Sequence, residues 1–251
     1  MQRLEQLSLA ALRTTAQGAV TDRAVVAQRL YRFGTMPRTA AAERDLGPED
    51  DPLGVLGLCA GGVARRRLDR DYVPTVIAGW CAFTRLPLDT AAVTTCKLYV
   101  SPRPDAVGEA FHRLVDVFAE TGVRSFKVGR GIEGLLRPDK IVAYFDDTAH
   151  LDVVARALAA RLRRTPAQGT PFTCPIDGDG LLSWGIDPPP GRAPASWRAW
   201  ITRYLADALV SRAHETPARR VAGALADLAA AGVDGASWLP GAATFDLEIA
   251  A

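Results

Sequence analysis

The chain has 251 residues, 48% of them hydrophobic and 23% charged, with a formal net charge of +2. That is globular composition, long enough for one large domain or two small ones, and it offers no broad field for nucleic acid or an acidic membrane. No apolar run reaches the ~18 residues of a membrane span, and the amphipathic N-terminus carries acid, so neither a transmembrane segment nor a signal peptide is expected and the chain reads as cytoplasmic.

Residues 2–17 predict a helix, with Leu4, Leu7 and Ala11 on one stripe and Gly18 as its stop. A second helix is predicted over 21–33, capped by Asp22 and ended by Gly34 and Pro37. Residues 35–52 are polar and read as a mobile loop, and residues 64–74 (ARRRLDRDYVP), which mix both charges, as a solvated hairpin or loop. Residues 1–70 thus form a helical N-terminal region, and 71–251 an α+β core with C-terminal helices.

Within that core, the β-branched apolar residues of 75–101 predict central strands. An amphipathic helix follows, burying Val107, Phe111, Leu114 and Phe118 and ending at Gly122; His112 falls off its buried face. Then come the strand VRSFKVG, the glycine loop 129–134, the strand DKIVAYF and a helix over 148–164. Residues 172–191 carry one or two more strands. Two helices finish the chain, one capped by Ser196 with Trp197, Trp200, Ile201, Tyr204 and Leu205, the other opened by Thr216-Pro217 and ended by Gly232. The expected fold class is α+β: a central, mostly antiparallel or mixed sheet flanked by helices, one domain with helical extensions at both ends.

Cys59, Cys81, Cys96 and Cys174 show no CxxC spacing, and His112, His150 and His214 are isolated. No metal is expected, and the cysteines read as reduced core residues. No GxSxG supports a serine triad. The loop Gly129-Arg130-Gly131-Ile132-Glu133-Gly134 is literally GxGxxG, but Arg137-Pro138-Asp139 and a strand follow almost at once, where a dinucleotide site needs a long helix. It reads as a plain loop, or as a backbone nest for an anion beside Lys127, Arg130 and Arg137.

The cations carry more information. Three lysines stand against 27 arginines, and all three fall at Lys97, Lys127 and Lys140. Burial can lower a lysine until it serves as a base, which arginine cannot do. Strand alternation puts Lys97 and Tyr99 on one face, opposite Cys96, Leu98 and Val100. Lys127 and Arg130 lie at the exit of the next strand, and Arg137 and Lys140 at the start of a third. If those strands are neighbours, five cations and a phenol converge on one face, a set suited to phosphate.

The elements KLYVSP, FKVG and RPDKIVAYF resemble the spaced motifs K-x-H/Y-V-S, F-K and R-x-x-K-x-x-x-Y/F of the phosphothreonine lyase superfamily, over about residues 94–146. That superfamily includes type III secretion effectors, the lyase domains of class III and IV lanthipeptide synthetases, and a stand-alone effector-like branch in class V lanthipeptide clusters. The resemblance implies a carbon–oxygen lyase that eliminates phosphate from phosphoserine or phosphothreonine of a precursor peptide, giving dehydroalanine or dehydrobutyrine, with a separate kinase and other biosynthetic proteins as partners and no cofactor. Carried over, Lys127 is the general base and Lys97 lies near the developing enolate or phosphate. Arg137 and Lys140, joined by Arg130 of the glycine loop, bind phosphate. Tyr99 stands where the lyases place a histidine acid, and a phenol, with a reference pKa of about 10, needs help to act as an acid. A non-catalytic peptide-binding partner and a lanthionine-forming cyclase are the competing expectations.

Overall fold

The computed structural model describes residues 3–46, 54, 56, 62–87, 94–189, 196–241 and 244–245. The chain opens with α1 (Arg3–Gln17), α2 (Arg23–Arg32), α3 (Ala40–Leu46) and α4 (Val63–Asp71). Strands β1 (Tyr72–Ile77), β2 (Trp80–Arg85) and β3 (Cys96–Val100) precede α5 (Val107–Thr121), β4 (Ser125–Gly129), the short α6 (Gly131–Leu135) and β5 (Ile141–Phe145). Helix α7 (Thr148–Arg161), β6 (Cys174–Pro175), β7 (Leu182–Ile186), α8 (Trp197–Ser211), α9 (Pro217–Ala230) and the small pair β8 (Val233–Asp234) and β9 (Leu239–Pro240) complete it.

Seven strands form one sheet in the order β1-β2-β4-β5-β3-β7-β6, every pairing antiparallel. The fold class is therefore α+β, as expected. One face of the sheet buries Phe83, Leu98, Phe126, Val128, Ile141 and Phe145 against α5 and α7. Phe126 centres that core: it stacks on Phe83 at 4.7 Å between centroids and takes Tyr72 and Phe118 edge-on at 5.2 and 5.0 Å. Such offset and edge contacts suit ring quadrupoles and add to area burial. A second core, built around Trp197, Trp200, Phe172 and Trp238, joins α1, α2, α8 and α9. Helices from both ends of the chain thus share one layer.

Local signals were read correctly where a side chain acts on its own backbone. Asp22 caps α2 by accepting the Val25 amide, and Ser196 caps α8 by accepting that of Ala199. Gly122 ends α5 at φ +73°, a conformation that costs other residues a Cβ clash.

Four expectations need correction. Residues 64–71 belong to a helix, held by Arg65–Asp69 one turn apart and by Leu68 buried against the sheet core. The 35–52 segment contains α3, whose first turn is capped by Thr39 Oγ1 accepting the Ala42 amide; its residues 47–52 lie outside those described. The apolar run after residue 75 is a hairpin turning at Gly79 (φ +74°), and its first arm is the exposed edge strand β1 rather than a central one. Finally, the glycine loop is mostly the single-turn α6. A Cβ on Gly129 would collide with the Gly134 carbonyl, so these glycines serve a close backbone approach. Cys81, Cys96 and Cys174 are buried; Cys59 is outside the described residues.

Candidate phosphate-handling site

Because β4, β5 and β3 are neighbours, alternation sends Lys127, Val142, Tyr144, Lys97 and Tyr99 to the face opposite the large core. Trp80, at the start of β2, joins them. The half-buried Lys127 puts its ammonium 4.1 Å from the Trp80 ring centroid and 5.6 Å from that of Tyr144. Lys97 reaches the same Tyr144 ring at 5.3 Å. Aromatic faces attract cations, so the floor of the site gathers like charges that would otherwise repel. Burial, then the neighbouring Lys97, pushes Lys127 down to about 8. That is the range in which an amine works as a base near neutral pH.

Lys97 is 10% exposed and its ammonium lies 2.7 Å from Asp187 Oδ2. Asp187 follows β7, whose pairing with β3 sets Gly185 opposite Lys97 and lets the Asp187 amide donate to Thr95 O. Gly185 is required there, since a Cβ would collide with the Trp197 ring.

Arg137 rests over Trp80 at 4.6 Å and makes paired bonds of 2.9 Å to both oxygens of Asp139. Asp139 also accepts from the Tyr31 hydroxyl at 2.9 Å and pairs with Arg198 at 2.8 Å. Burial would raise this carboxyl, but Arg198 and Arg137 override it and hold it at about 2. Arg198, 1% exposed, lies over the Tyr31 ring at 4.4 Å and donates to the Tyr31 carbonyl at 2.7 Å. A buried chain of contacts therefore runs from α8 through Tyr31 and Asp139 to Arg137, fixing that guanidinium beside Lys127.

Tyr99 is 3% exposed, and burial, then Tyr31, raises its phenol well above the usual value. A phenol shifted this way keeps its proton near neutral pH. Arg130 lines an adjoining cleft of ≈ 860 Å³ between α2, α8 and the 130–139 segment, which Arg137 and Tyr31 also line. Lys140 departs from the expected cluster. Its side chain is fully buried and its ammonium bonds the carbonyl of Pro102 at 2.7 Å and Gln168 Oε1. Those acceptors sit beside the Pro102–Ala167 bridge and take the hydrogen bonds that were expected to go to phosphate.

The sheet face thus unites Lys97, Tyr99 and Lys127 with Arg137. Sequence reasoning missed Trp80, Tyr144, Asp187, Asp139, Tyr31 and Arg198. Arg198 left a signal: it shares a stripe with Ile201, Thr202 and Leu205, all buried, and an arginine on such a stripe needs a buried partner. Among the described residues no group of three or more His, Cys, Asp or Glu side chains could hold a metal ion, and no helix is long and apolar enough to cross a membrane.

No family model and no curated protein matches the sequence. Solved structures do match. The effector protein from Pseudomonas syringae pv. syringae strain 61 aligns over 96% of this chain and 100% of its own at 13% identity, with a TM-score of 0.52. The effector protein from Pseudomonas syringae pv. tomato strain DC3000 aligns over 96% and 99% at 11% identity, with a TM-score of 0.53. The chain shares the fold of these two effector proteins. The type III effector and phosphothreonine lyase OspF from Shigella flexneri is also among the structures it resembles, over 50% of this chain and 78% of that one, at 10% identity and a TM-score of 0.39.

Proposed function

We propose that the protein is a phosphoserine/phosphothreonine lyase acting on a phosphorylated peptide. The observation that carries the reading is Lys127: a half-buried amine lowered to about 8, beside a second lysine and a fixed arginine on one sheet face. Neutral Lys127 takes the Cα proton of the phosphoresidue. The C–H electrons become the Cα=Cβ bond, the Cβ–O bond breaks, and phosphate leaves while the proton stays on Lys127. Lys97 and Arg137 offset the charge that grows on the carbonyl and the departing phosphate. Tyr99 donates a hydrogen bond to an oxygen near this charge without giving up its proton. The resemblance of KLYVSP, FKVG and RPDKIVAYF to the lyase motifs is what extends this reading to a precursor peptide phosphorylated by a separate kinase in lanthipeptide-type biosynthesis, where the alkene product would await a thiol.

A second reading, a peptide-binding partner without chemistry, is favoured by Tyr99, whose raised phenol is mismatched to acid catalysis. One experiment separates the two. A synthetic phosphothreonine peptide incubated with the pure protein should lose the elements of phosphoric acid, read by mass spectrometry, and should not do so with Lys127→Ala. If wild type and Lys127→Ala bind the peptide equally and neither releases phosphate, the lyase reading fails and the binding reading stands.

A further inference from the structure

The cleft beside the site has a composition that the elimination itself does not use. Its lining includes small apolar residues, Ala24 and Ala27 of α2 and Ala199 of α8, together with Pro138. Its charged lining comprises five arginines and three acids. The acids are already engaged. Asp139 is held by Arg137 and Arg198, Asp207 by Arg23 at 3.2 Å, and Glu133 by Arg38 at 3.6 Å. Arg32 and Arg203 are both exposed in this lining, and Arg203 lies close enough to Asp207 to lower its carboxyl against the burial that raises it. The lining therefore presents more positive than negative side chains beside small apolar ones.

From this we infer that the cleft binds an acidic, amphipathic segment of the same peptide that carries the phosphoresidue. The inference rests on the lyase reading and adds where the rest of the substrate goes. Charge complementarity selects the occupant: carboxylates would meet Arg32 and Arg203, while small or aliphatic side chains cover the alanines. Continuity makes it the same chain. Arg137 and Tyr31 line the cleft, and Arg137 lies over Trp80 beside Lys127, so a peptide seated there runs on to the aromatic floor. Linking two weak contacts in one ligand raises affinity for both.

The test uses two fluorescent synthetic peptides, each with one phosphothreonine, whose flanking arms alternate Glu with Leu in one and Lys with Leu in the other. Binding is read by anisotropy and elimination by mass. The Glu-armed peptide should bind roughly ten-fold tighter, the size expected of two partly exposed ion pairs. Arg32→Glu/Arg203→Glu should abolish that preference, and Arg32→Gln/Arg203→Gln should reduce it, which guards against a folding defect in the first variant. Lys127→Ala should keep the preference while losing elimination. Equal binding of the two arms, or a preference unchanged in both double variants, overturns the inference. Elimination without arm preference would sink this inference alone, whereas arm preference without elimination would sink the lyase reading and leave the cleft assignment standing.

Discussion

The Lys127 ammonium and the Arg137 guanidinium rest against the same indole, Trp80, at 4.1 and 4.6 Å from its centroid. The ring attracts each cation and so keeps two like charges adjacent, and it excludes water from Lys127. Burial is the first cause of the lowered Lys127 pKa. Trp80→Leu should admit water and move the amine back toward the ordinary lysine value. Each unit of rise removes about ten-fold of the neutral amine at pH 7, so elimination should slow by up to that much per unit and its pH profile should shift alkaline. A profile that keeps its midpoint in Trp80→Leu would show that the indole does not set the base.

The wild-type profile follows from the same group. A base acts when unprotonated, so kcat/KM should climb about ten-fold per pH unit below about 8 and level off above it. Rates between pH 6.5 and 9 read this clear of the phosphate's own titration near ~6. Lys127→Arg should bind phosphopeptide and release nothing, because a guanidinium does not shed its proton in this range. A flat wild-type profile would exclude Lys127 as the titrating base.

Such a lysine also strains the fold. Its folded value of about 8 lies below the unfolded one, so the unfolded chain binds more protons between about pH 8 and pH 10. The penalty is full below 8 and fades as pH rises toward the unfolded value. Lys127→Met removes it, and should raise the melting temperature at pH 7 by a few degrees while ending elimination. A lower melting temperature would mean that the contacts to Trp80 and Tyr144 outweigh desolvation.

Much of this was legible in the sequence, and what was not has physical causes. Alternation put Lys97 and Tyr99 on one strand face, because side-chain direction in a strand is a local property, but that Lys127 joins them depended on the order β4-β5-β3, which is not local. Helix α4 was hidden because its charges read as solvation, while its one buried contact, Leu68, depends on a distant partner, α5. The hairpin at Gly79 was read as central strand because both its arms carry apolar residues, and nothing local marks β1 as the sheet edge. Asp187 could not be matched to Lys97 without knowing that β7 pairs with β3, a choice made 90 residues away in the chain. Lys140 misled for the opposite reason. Its spacing suited a phosphate site, yet the neighbouring Pro102 carbonyl and Gln168 claim its ammonium.

Asp139 is the keystone of the chain that positions Arg137. It is 4% exposed on its side chain and faces Arg198, which is 1% exposed. Asp139→Asn leaves that guanidinium buried without a counter-charge, at about 3–5 kcal/mol, and frees Arg137 from its paired bonds. Urea unfolding should show the loss. The pH dependence has a definite sign: a carboxyl held at about 2 stabilises above its unfolded value near ~3.9 and loses that contribution as pH falls toward 2. The gap between wild type and variant should therefore narrow from pH 4 downward. A gap that stays constant to pH 2 would contradict the ion-pair assignment.

Lys140 explains why lysine persists in a chain that otherwise uses arginine. Its fully buried ammonium donates to the carbonyl of Pro102 at 2.7 Å and to Gln168, whose amide in turn donates to the carbonyls of Gly34 and Leu136. Burial lowers it to about 7, so near neutrality it can lose its charge and still donate two hydrogens. A guanidinium is bulkier, keeps its charge and would bring five donors to a space with two acceptors. Lys140→Arg should destabilise by about 2–4 kcal/mol, a fall of roughly 5–15 °C in melting temperature for a chain of this size. Sign again discriminates. The wild-type lysine penalises the fold fully below about 7 and progressively less as pH rises toward 10, whereas arginine stays charged throughout. The difference in melting temperature should thus widen between pH 7 and pH 9, and a difference that stays constant over that range would show that Lys140 remains charged in its pocket.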